Sequence, residues 1–323
     1  MRCVVFHGSG GPEVMAVEER PDPVPGRFDV LIAPTFAGVN PADVLQREGK
    51  HPVPAGYPAD IPGLEVSGVV AAVGNGASSF QPGDRVFGLV GGGGQAQLVL
   101  AEERHLLLVP ESLGEMAAAA TPQSFLTAFD ALVHQGRAGA GDVVLVNGAS
   151  GGVGSAAVQI AVALRARVIA SVRTARVRER VAALGAEAAA PDEAFTRVRD
   201  LGGADVIIEL VGAPHMARNI EVLARGGRLV LVAGKPGDEV ALALRDLMTR
   251  RATLVGTTLR TRPSEQKAAL IQEFGRRVVP LLADGSATAP VGEVFPLDRA
   301  ADAYDHVRTP GRFGKTLLEL PPR

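Results

Sequence analysis

The chain is poor in residues that react with metals or oxidants. One cysteine, Cys3, stands among 323 residues, which excludes an intramolecular disulfide and any cysteine-based metal cage and suits a reducing setting such as the cytoplasm. The six histidines, His7, His51, His105, His134, His215 and His306, are scattered without ligand spacing, so most are expected at the surface or as capping residues and no metal site is expected. Neither sign of charge dominates. A formal net charge of −2 with both signs mixed advertises no nucleic-acid-binding face and no acidic tail for a basic partner. No apolar run reaches membrane-spanning length without charge or glycine, and the opening MRCVVFHGSGG is not a charged leader followed by an apolar core. A soluble, unprocessed protein with no membrane insertion is expected. Repeats and low-complexity tracts are also missing, and the four glycines Gly91–Gly94 read as a tight loop between strands.

What is present suits two domains. The length exceeds one typical core, and 46% hydrophobic residues is an ordinary globular value that excludes the disordered and collagen-like classes. Short apolar or alternating runs at Arg2–Phe6, Asp29–Ala33, Val66–Val73 and Leu98–Leu100, separated by Pro- and Gly-rich segments, predict an antiparallel β-rich domain. Near Ser112 the pattern turns helical, at Glu115–Ala120 and Leu126–His134. Strands at Val143–Val146, Val168–Ser171, Asp205–Leu210, Arg228–Val232 and Ala252–Thr257 then alternate with helices, which predicts an α/β, doubly wound parallel sheet. A long helix over Glu265–Leu282 leads to short β segments at Val291–Phe295 and Lys315–Leu320, so the C-terminus is expected to return to the first domain.

The most specific stretch is DVVLVNGASGGVGSAAVQIAVAL, Asp142–Leu164. An apolar β-branched run breaks at Ala149-x-Gly151-x-x-Gly154 and enters a helix whose apolar stripe is Val153, Ala156, Ala157, Ile160, Ala161 and Leu164. That is the dinucleotide fingerprint with alanine in its first glycine position. Gly151 lets the backbone approach a pyrophosphate, Gly154 lets helix and strand pack closely, and the free N–H groups of the first helical turn face the anion. Ser150, Gly151, Gly152, Val153 and Gly154 are the expected phosphate-binding turn. The alternative is a tight turn in an α/β protein that binds no nucleotide.

Landmarks along the whole chain carry a resemblance. Gly38-Val39-Asn40-Pro41-Ala42-Asp43, Gly63 to Val70, Gln81 to Val86, Leu126-Thr127-Ala128-Phe129, the glycine turn and Gly314-Lys315 resemble the zinc-independent quinone oxidoreductases of the medium-chain dehydrogenase/reductase superfamily, the branch of zeta-crystallin. Gln46 to Gly49, Gly92 to Gln97 and Leu259 to Arg262 are most similar to the tumour-suppressor-inducible subfamily. The resemblance implies a β-rich, GroES-like catalytic domain built from both chain ends, 1–121 and 283–323, around a Rossmann-type NADPH-binding domain, 122–282, with the nicotinamide in a cleft between them. It also puts Leu64 where zinc-dependent relatives carry a ligand histidine, and Asn40 to Asp43 hold no cysteine. Glu65 is expected to have a structural task.

Without a metal to polarise a carbonyl, the acceptor should already be electrophilic, as a quinone or activated enone is. The expected activity is NADPH-dependent reduction of a quinone. An enoyl or enal reductase, or a cofactor-binding protein with little turnover, remains the alternative on the same fold. Asn40 is a candidate to hydrogen-bond the cofactor ribose or the acceptor oxygen, or it is simply a turn-forming residue before Pro41. His51 lies where relatives carry a tyrosine beside the nicotinamide and is the candidate proton donor; a solvent-facing loop histidine is the alternative. Leu45 occupies another position where relatives carry tyrosine. The resemblance places Thr127 near the nicotinamide, against a merely helix-stabilising role. Gly234 should lie at the carboxyl edge of the sheet. Lys315 either faces the cleft or is a solvated charge on an edge strand.

Selection of NADPH follows from the end of the second strand. An NAD-specific site places an acid about twenty residues beyond the glycine turn, and here that place is Ser171. The sequence continues Val172-Arg173-Thr174-Ala175-Arg176-Val177-Arg178 with no acid before Glu179. Arg173 and Arg176 can fork onto a 2′-phosphate, Thr174 can add a hydroxyl, and cations at a helix start are otherwise unfavourably placed in the dipole field. Val177, Val181 and Leu184 form the buried stripe, which leaves Arg178 less able to reach. The strand Ala252–Thr257 is expected at the sheet's end, where an uncovered edge invites a homodimer.

Overall fold

The computed structural model describes residues 1–234 and 237–322. The chain divides into two compact units, one of Met1–Gln123, Arg260–Thr309 and Gly314 onward, the other of Ser124–Leu259 and Pro310–Phe313. Relative to the expected boundary at 282, residues 260–282 fall in the first unit. A helix, Ser264–Arg277, accounts for this: it buries Leu270, Ile271 and Phe274, and its Gly275 lies so close to Leu107 that a Cβ there would come within 2.9 Å. The single helix expected over 265–282 is two, Ser264–Arg277 and Val279–Ala283, because Pro280 has no N–H for the preceding turn and its ring opposes the carbonyl four residues back.

The first unit begins with an antiparallel pair, β1 (Arg2–Phe6) and β2 (Met15–Glu19). A larger sheet uses β3 (Asp29–Val39), β4 (Glu65–Val73), β5 (Arg85–Leu89), β6 (Val99–Glu102) and β7 (Leu106–Leu108). Alternating burial of Val30, Ile32, Val66, Val70, Val86 and Val99 fills its core. The loop between β5 and β6, which carries the four glycines, is not a tight turn: it runs from Val90 to Leu98.

The second unit is a six-stranded sheet, all of whose pairs are parallel, made of β8 (Val143–Asn147), β9 (Arg167–Ser171), β10 (Glu187–Ala189), β11 (Ala204–Glu209), β12 (Leu223–Leu231) and β13 (Thr253–Gly256). The spatial order β10-β9-β8-β11-β12-β13 reverses direction between β8 and β11, the topological switch point at which open α/β sheets bind ligands. β13 is an edge, as expected. The predicted helix Leu126–His134 lies in Pro122–Phe129 and a π-helical continuation, Asp130–Gln135.

The chain then returns to the first sheet with β14 (Val291–Pro296) and β15 (Lys315–Glu319), in the order β14-β15-β3-β4-β5-β7 with β6 also on β3. β14 and β15 are parallel, so this sheet is mixed and not purely antiparallel. β15 also pairs with Phe36–Val39, which is why β3 extends six residues past the predicted Ala33. Tyr304, on the helix Ala300–Arg308, is fully buried with Phe6, Val39 and Leu318.

Candidate functional site: a dinucleotide cavity and a buried polar cluster

In the second unit, the loops that leave the carboxyl ends of β8, β9 and β11 enclose a cavity of about 280 Å³ lined by Gly148, Ser150, Ser171, Arg173, Thr174 and His215, among others. The glycine turn has the expected form with one shift. The left-handed residue is Gly148 (φ +82°), one place before the fingerprint, and alanine at 149 is therefore tolerated. Gly154 is tight, since a Cβ would collide with the Gly148 carbonyl and approach Ala149 Cα to 2.6 Å. Gly151 is the opposite: a Cβ would meet nothing within 4 Å, so its backbone faces open space at the start of the helix Gly152–Ala163. Gly152 and Val153 form the first turn of that helix.

Ser171 ends β9 and is 2% exposed, yet its buried hydroxyl has no hydrogen-bond partner among the described residues. Such an orphaned group at a ribose position fits a ligand hydroxyl or phosphate oxygen. Arg173 and Thr174 line the same cavity. Arg176 does not; its Nη2 lies 3.5 Å from the Gly311 carbonyl, which it holds beside Thr174. Arg178 donates to the carbonyls of Val172 and Arg173 (3.1 and 3.3 Å) and fixes the loop. Val177 and Val181 are buried as expected. In place of the expected helix stand a 3₁₀ turn, Ala175–Val177, and five helical residues, Arg178–Ala182, too short for a dipole to argue for an anion.

Beneath the cavity lies Glu209, at the end of β11. Burial would raise its pKa, but the His215 ring, with Nδ1 3.7 Å from Oε2, and hydrogen bonds from Asn219 and the backbone amides of Gly212 and Val211 hold it below the usual carboxylate range. Asn147 and Asn219 each donate to its Oε2, at 2.8 and 2.7 Å. This cluster ties the ends of β8 and β11 to the helix Met216–Val222, and no spacing in the sequence signals it. The same holds for His215 and Gly311, which both line the cavity. His215 is not the surface histidine that its scattered position suggests: it sits edge-to-face on Phe195 with Nδ1 buried. Thr127, in the helix Pro122–Phe129, is buried, and Gly234, beyond β12, is exposed beside Gly212; neither lines this cavity.

In the first unit, Asn40 and Lys315 are brought together. Lys315 is 4% exposed on an interior strand, which overturns the reading of a solvated charge on an edge. Its Nζ donates to Asn40 Oδ1 (2.6 Å) and lies 2.6 Å from Glu65 Oε1. Asn40 Nδ2 donates to the same Glu65 oxygen (3.0 Å), and Glu65 Oε2 accepts from the Gln123 amide (2.9 Å), so Glu65 has a structural role. Asn40 is indeed the N-cap before Pro41, with its amide bound to Asp43 Oδ2 at 2.8 Å. Asp43 is completely buried with Oδ1 unpartnered among the described residues. Burial pushes its pKa up to about 6, aided by Glu65 and opposed by the Asn40 amide, Lys315 and Arg260.

His51 stands apart from this cluster in a loop. Its pKa is lowered, first by burial and then by the Arg260 charge, so the ring is neutral near pH 7. Arg260, visible in the sequence only as part of a motif, ties the loop together by donating to the carbonyls of His51 (3.2 Å) and Gly91 (3.0 Å) and to Gln46 Oε1 (2.6 Å).

A zinc site does not fit the residues present. No group of three His, Cys, Asp or Glu that could hold a metal exists among the described residues, and Glu65 already spends both oxygens on Lys315, Asn40 and Gln123. A nicotinamide dinucleotide does fit the second unit: the open Gly151 backbone, the amides of Gly152 and Val153, the orphan Ser171 hydroxyl and the Arg173 guanidinium are the donors its phosphates and ribose require.

The zinc-binding dehydrogenase family matches residues 152–276, and the alcohol dehydrogenase GroES-like domain matches residues 26–111. The quinone oxidoreductase of Sus scrofa is 34% identical, over 96% of this chain and 95% of that one. That of Lama guanicoe is 33% identical, over 99% and 98%. Among solved structures, the quinone oxidoreductase of Thermus thermophilus, also solved in complex with NADPH, is 34% identical over 99% of this chain and all of that one, with a TM-score of 0.86.

Proposed function

The chain belongs to the quinone oxidoreductases of the medium-chain dehydrogenase/reductase superfamily, and from that premise we propose that it reduces a quinone with NADPH as hydride donor. The observation that carries the cofactor choice is the cavity beyond β9, where Ser171 stands in place of an acid and Arg173 and Thr174 line the wall. A carboxylate there would repel a 2′-phosphate, whereas a guanidinium binds one through paired charge-assisted hydrogen bonds. Bound there, NADPH would supply the hydride. Ser150 to Gly154 would hold its pyrophosphate, and Ser171, Arg173 and Thr174 its 2′-phosphate. Thr127, Gly234 and Lys315 are assigned to the remainder of the cofactor on the family resemblance alone. Arg176 acts indirectly, through Gly311.

Asn40 has its side-chain oxygen engaged by Lys315 and one amide N–H by Glu65, and its second amide N–H is assigned to a ribose or acceptor oxygen. His51 is assigned proton delivery to the developing quinol oxygen; as a neutral imidazole it donates its N–H while its second ring nitrogen takes a proton from water, so that the ring ends neutral. His51→Phe is expected to lower turnover by roughly two to four powers of ten with cofactor affinity nearly intact. Unchanged turnover would pass proton delivery to water.

The test of the activity itself is nicotinamide consumption with NADPH and NADH against a panel of quinones and enones. Quinone turnover with NADPH preferred is expected. Preference for an enone would make the chain an enoyl or enal reductase, and cofactor binding without turnover would make it a binding protein. We further propose a cytoplasmic homodimer, paired through the uncovered edge of β13 beside the helix Leu244–Arg250, which leaves Leu244 and Met248 72% and 77% exposed. A monomeric mass by light scattering at micromolar concentration would reject the dimer.

A further inference from the structure

The cavity beyond the parallel sheet holds one polar side chain to which the phosphates and the ribose give no task, His215. The lining is of two kinds. Ser171, Arg173 and Thr174 are matched to the 2′-phosphate, whereas Val172, Pro191, Leu210 and Val211 offer apolar surface to the same space. Apolar walls with a single polar group among them suit a flat, weakly polar ring, and the base is the part of a dinucleotide that answers to this description. His215 follows Leu210 and Val211 on the chain segment that leaves β11, so it stands on the apolar side.

Glu209 decides which nitrogen of that ring carries the proton. Its Oε1 accepts from the Val211 and Gly212 amides (2.5 and 2.9 Å) and its Oε2 from Asn147 and Asn219 (2.8 and 2.7 Å), so both oxygens are saturated. His215 Nδ1 lies 3.7 Å from Oε2, too far for a hydrogen bond, and is buried without a partner among the described residues. It faces the carboxylate charge all the same. A lone pair there is repelled and an N–H dipole attracted, so the proton of the neutral ring belongs on Nδ1 and the lone pair on Nε2. Nδ1 is buried, and the ring packs edge-to-face on Phe195 with centroids 5.7 Å apart. The 15% of the side chain that stays exposed is therefore the Nε2 end, which meets the cavity.

We propose that His215 reads the base of the cofactor, its Nε2 accepting a hydrogen bond from the 6-amino group of adenine while Val172, Pro191, Leu210 and Val211 hold the base. An acceptor at this place favours a 6-aminopurine over a 6-oxopurine, whose oxygen would oppose the Nε2 lone pair. The site then selects its nucleotide twice, by the 2′-phosphate and by the base. This rests on the cavity being the cofactor's.

The test is calorimetric titration of the full chain with NADPH and with its hypoxanthine analogue, in which an oxygen replaces the 6-amino group. It is run without an electron acceptor and at pH 8, where a free histidine side chain is neutral. NADPH is expected to bind at least tenfold more tightly than the analogue, about 1.4 kcal/mol. Two substitutions remove the reader in different ways: His215→Phe keeps a ring against Phe195, and His215→Asn keeps a polar group toward Glu209 but ends short of the cavity. Both are expected to bring the ratio to within about twofold while the preference for NADPH over NADH stays unchanged. Equal affinity of the wild-type chain for NADPH and the analogue overturns the proposal without any variant. A tenfold ratio kept by either folded variant overturns it as well, as does a ratio lost together with the preference for NADPH over NADH. Binding of neither nucleotide overturns the cofactor reading itself, an outcome distinct from equal binding of both, which leaves that reading standing.

Discussion

The carboxyl edge of the parallel sheet and the cluster around Asn40 are both polar and partly buried, but they answer to opposite demands. At the sheet edge the donors face a cavity and one, Ser171 Oγ, has no partner among the described residues. In the cluster, Lys315, Asn40 and Glu65 pair with one another, and Asp43 Oδ1 is left without a partner among the described residues. A region that recognises a ligand leaves hydrogen-bonding capacity unspent, whereas a region that holds a fold spends it internally. Substitutions should therefore change binding at the edge and stability in the cluster.

The sharpest way to break this contrast is Lys315→Met. Removing the cation leaves Glu65 as an uncompensated buried charge, and the folded state should lose about 3–5 kcal/mol by denaturant titration. A loss below about 1 kcal/mol would mean that the pair is exchangeable with solvent, as surface pairs are, and that the cluster is not structural.

The next largest effect is a pH dependence. Asp43 has its pKa raised from 3.8 to about 6 by burial, so the folded state holds the proton more tightly than the unfolded chain. The resulting stabilisation is fully present below about pH 4 and is lost as pH rises through about 6, an amount of about 3 kcal/mol by the linkage relation. Asp43→Asn should flatten the stability profile across that window. A profile that keeps its slope in the variant would assign the titration elsewhere.

The smallest expected effect lies at the sheet edge and appears in affinity alone. Arg173→Ala should weaken NADPH by about ten- to a hundredfold, roughly 1.5–3 kcal/mol, with little change for NADH and little change in melting temperature. Arg176→Ala, which touches the Gly311 carbonyl and not the cavity, should cost less than Arg173→Ala. Calorimetric titration with both nucleotides checks the order, and equal weakening toward NADH would show that neither arginine reads the 2′-phosphate.

Much of the second unit is legible along the chain because its information is local. A β-branched run, a glycine turn and a helix follow one another within Asp142–Leu164, and β9, β11 and β13 lie within two residues of where alternation places them. In the first unit β2, β5 and β7 carry no clear signal, and β3 reads as shorter than it is because its second half is a strand by virtue of β15, nearly 280 residues later. Gly91–Gly94 do form a loop between strands, but a longer one than a tight loop, and the run of glycines marks close approach to Tyr57 and Pro58.

By itself the sequence determined the order of strands and helices in the parallel sheet, the glycine turn between β8 and the helix that follows it, and the absence of an acid after β9. Each rests on neighbours in the chain, whose spacing alone sets which way a backbone amide or side chain points. Only the tertiary structure decided that Lys315 is buried on Glu65 and Asn40, that Gly311 closes beside Thr174, and that Asp43 titrates out of range. Those outcomes depend on residues hundreds of positions apart being removed from water together, and desolvation and charge pairing are properties of the packed neighbourhood that no local pattern carries.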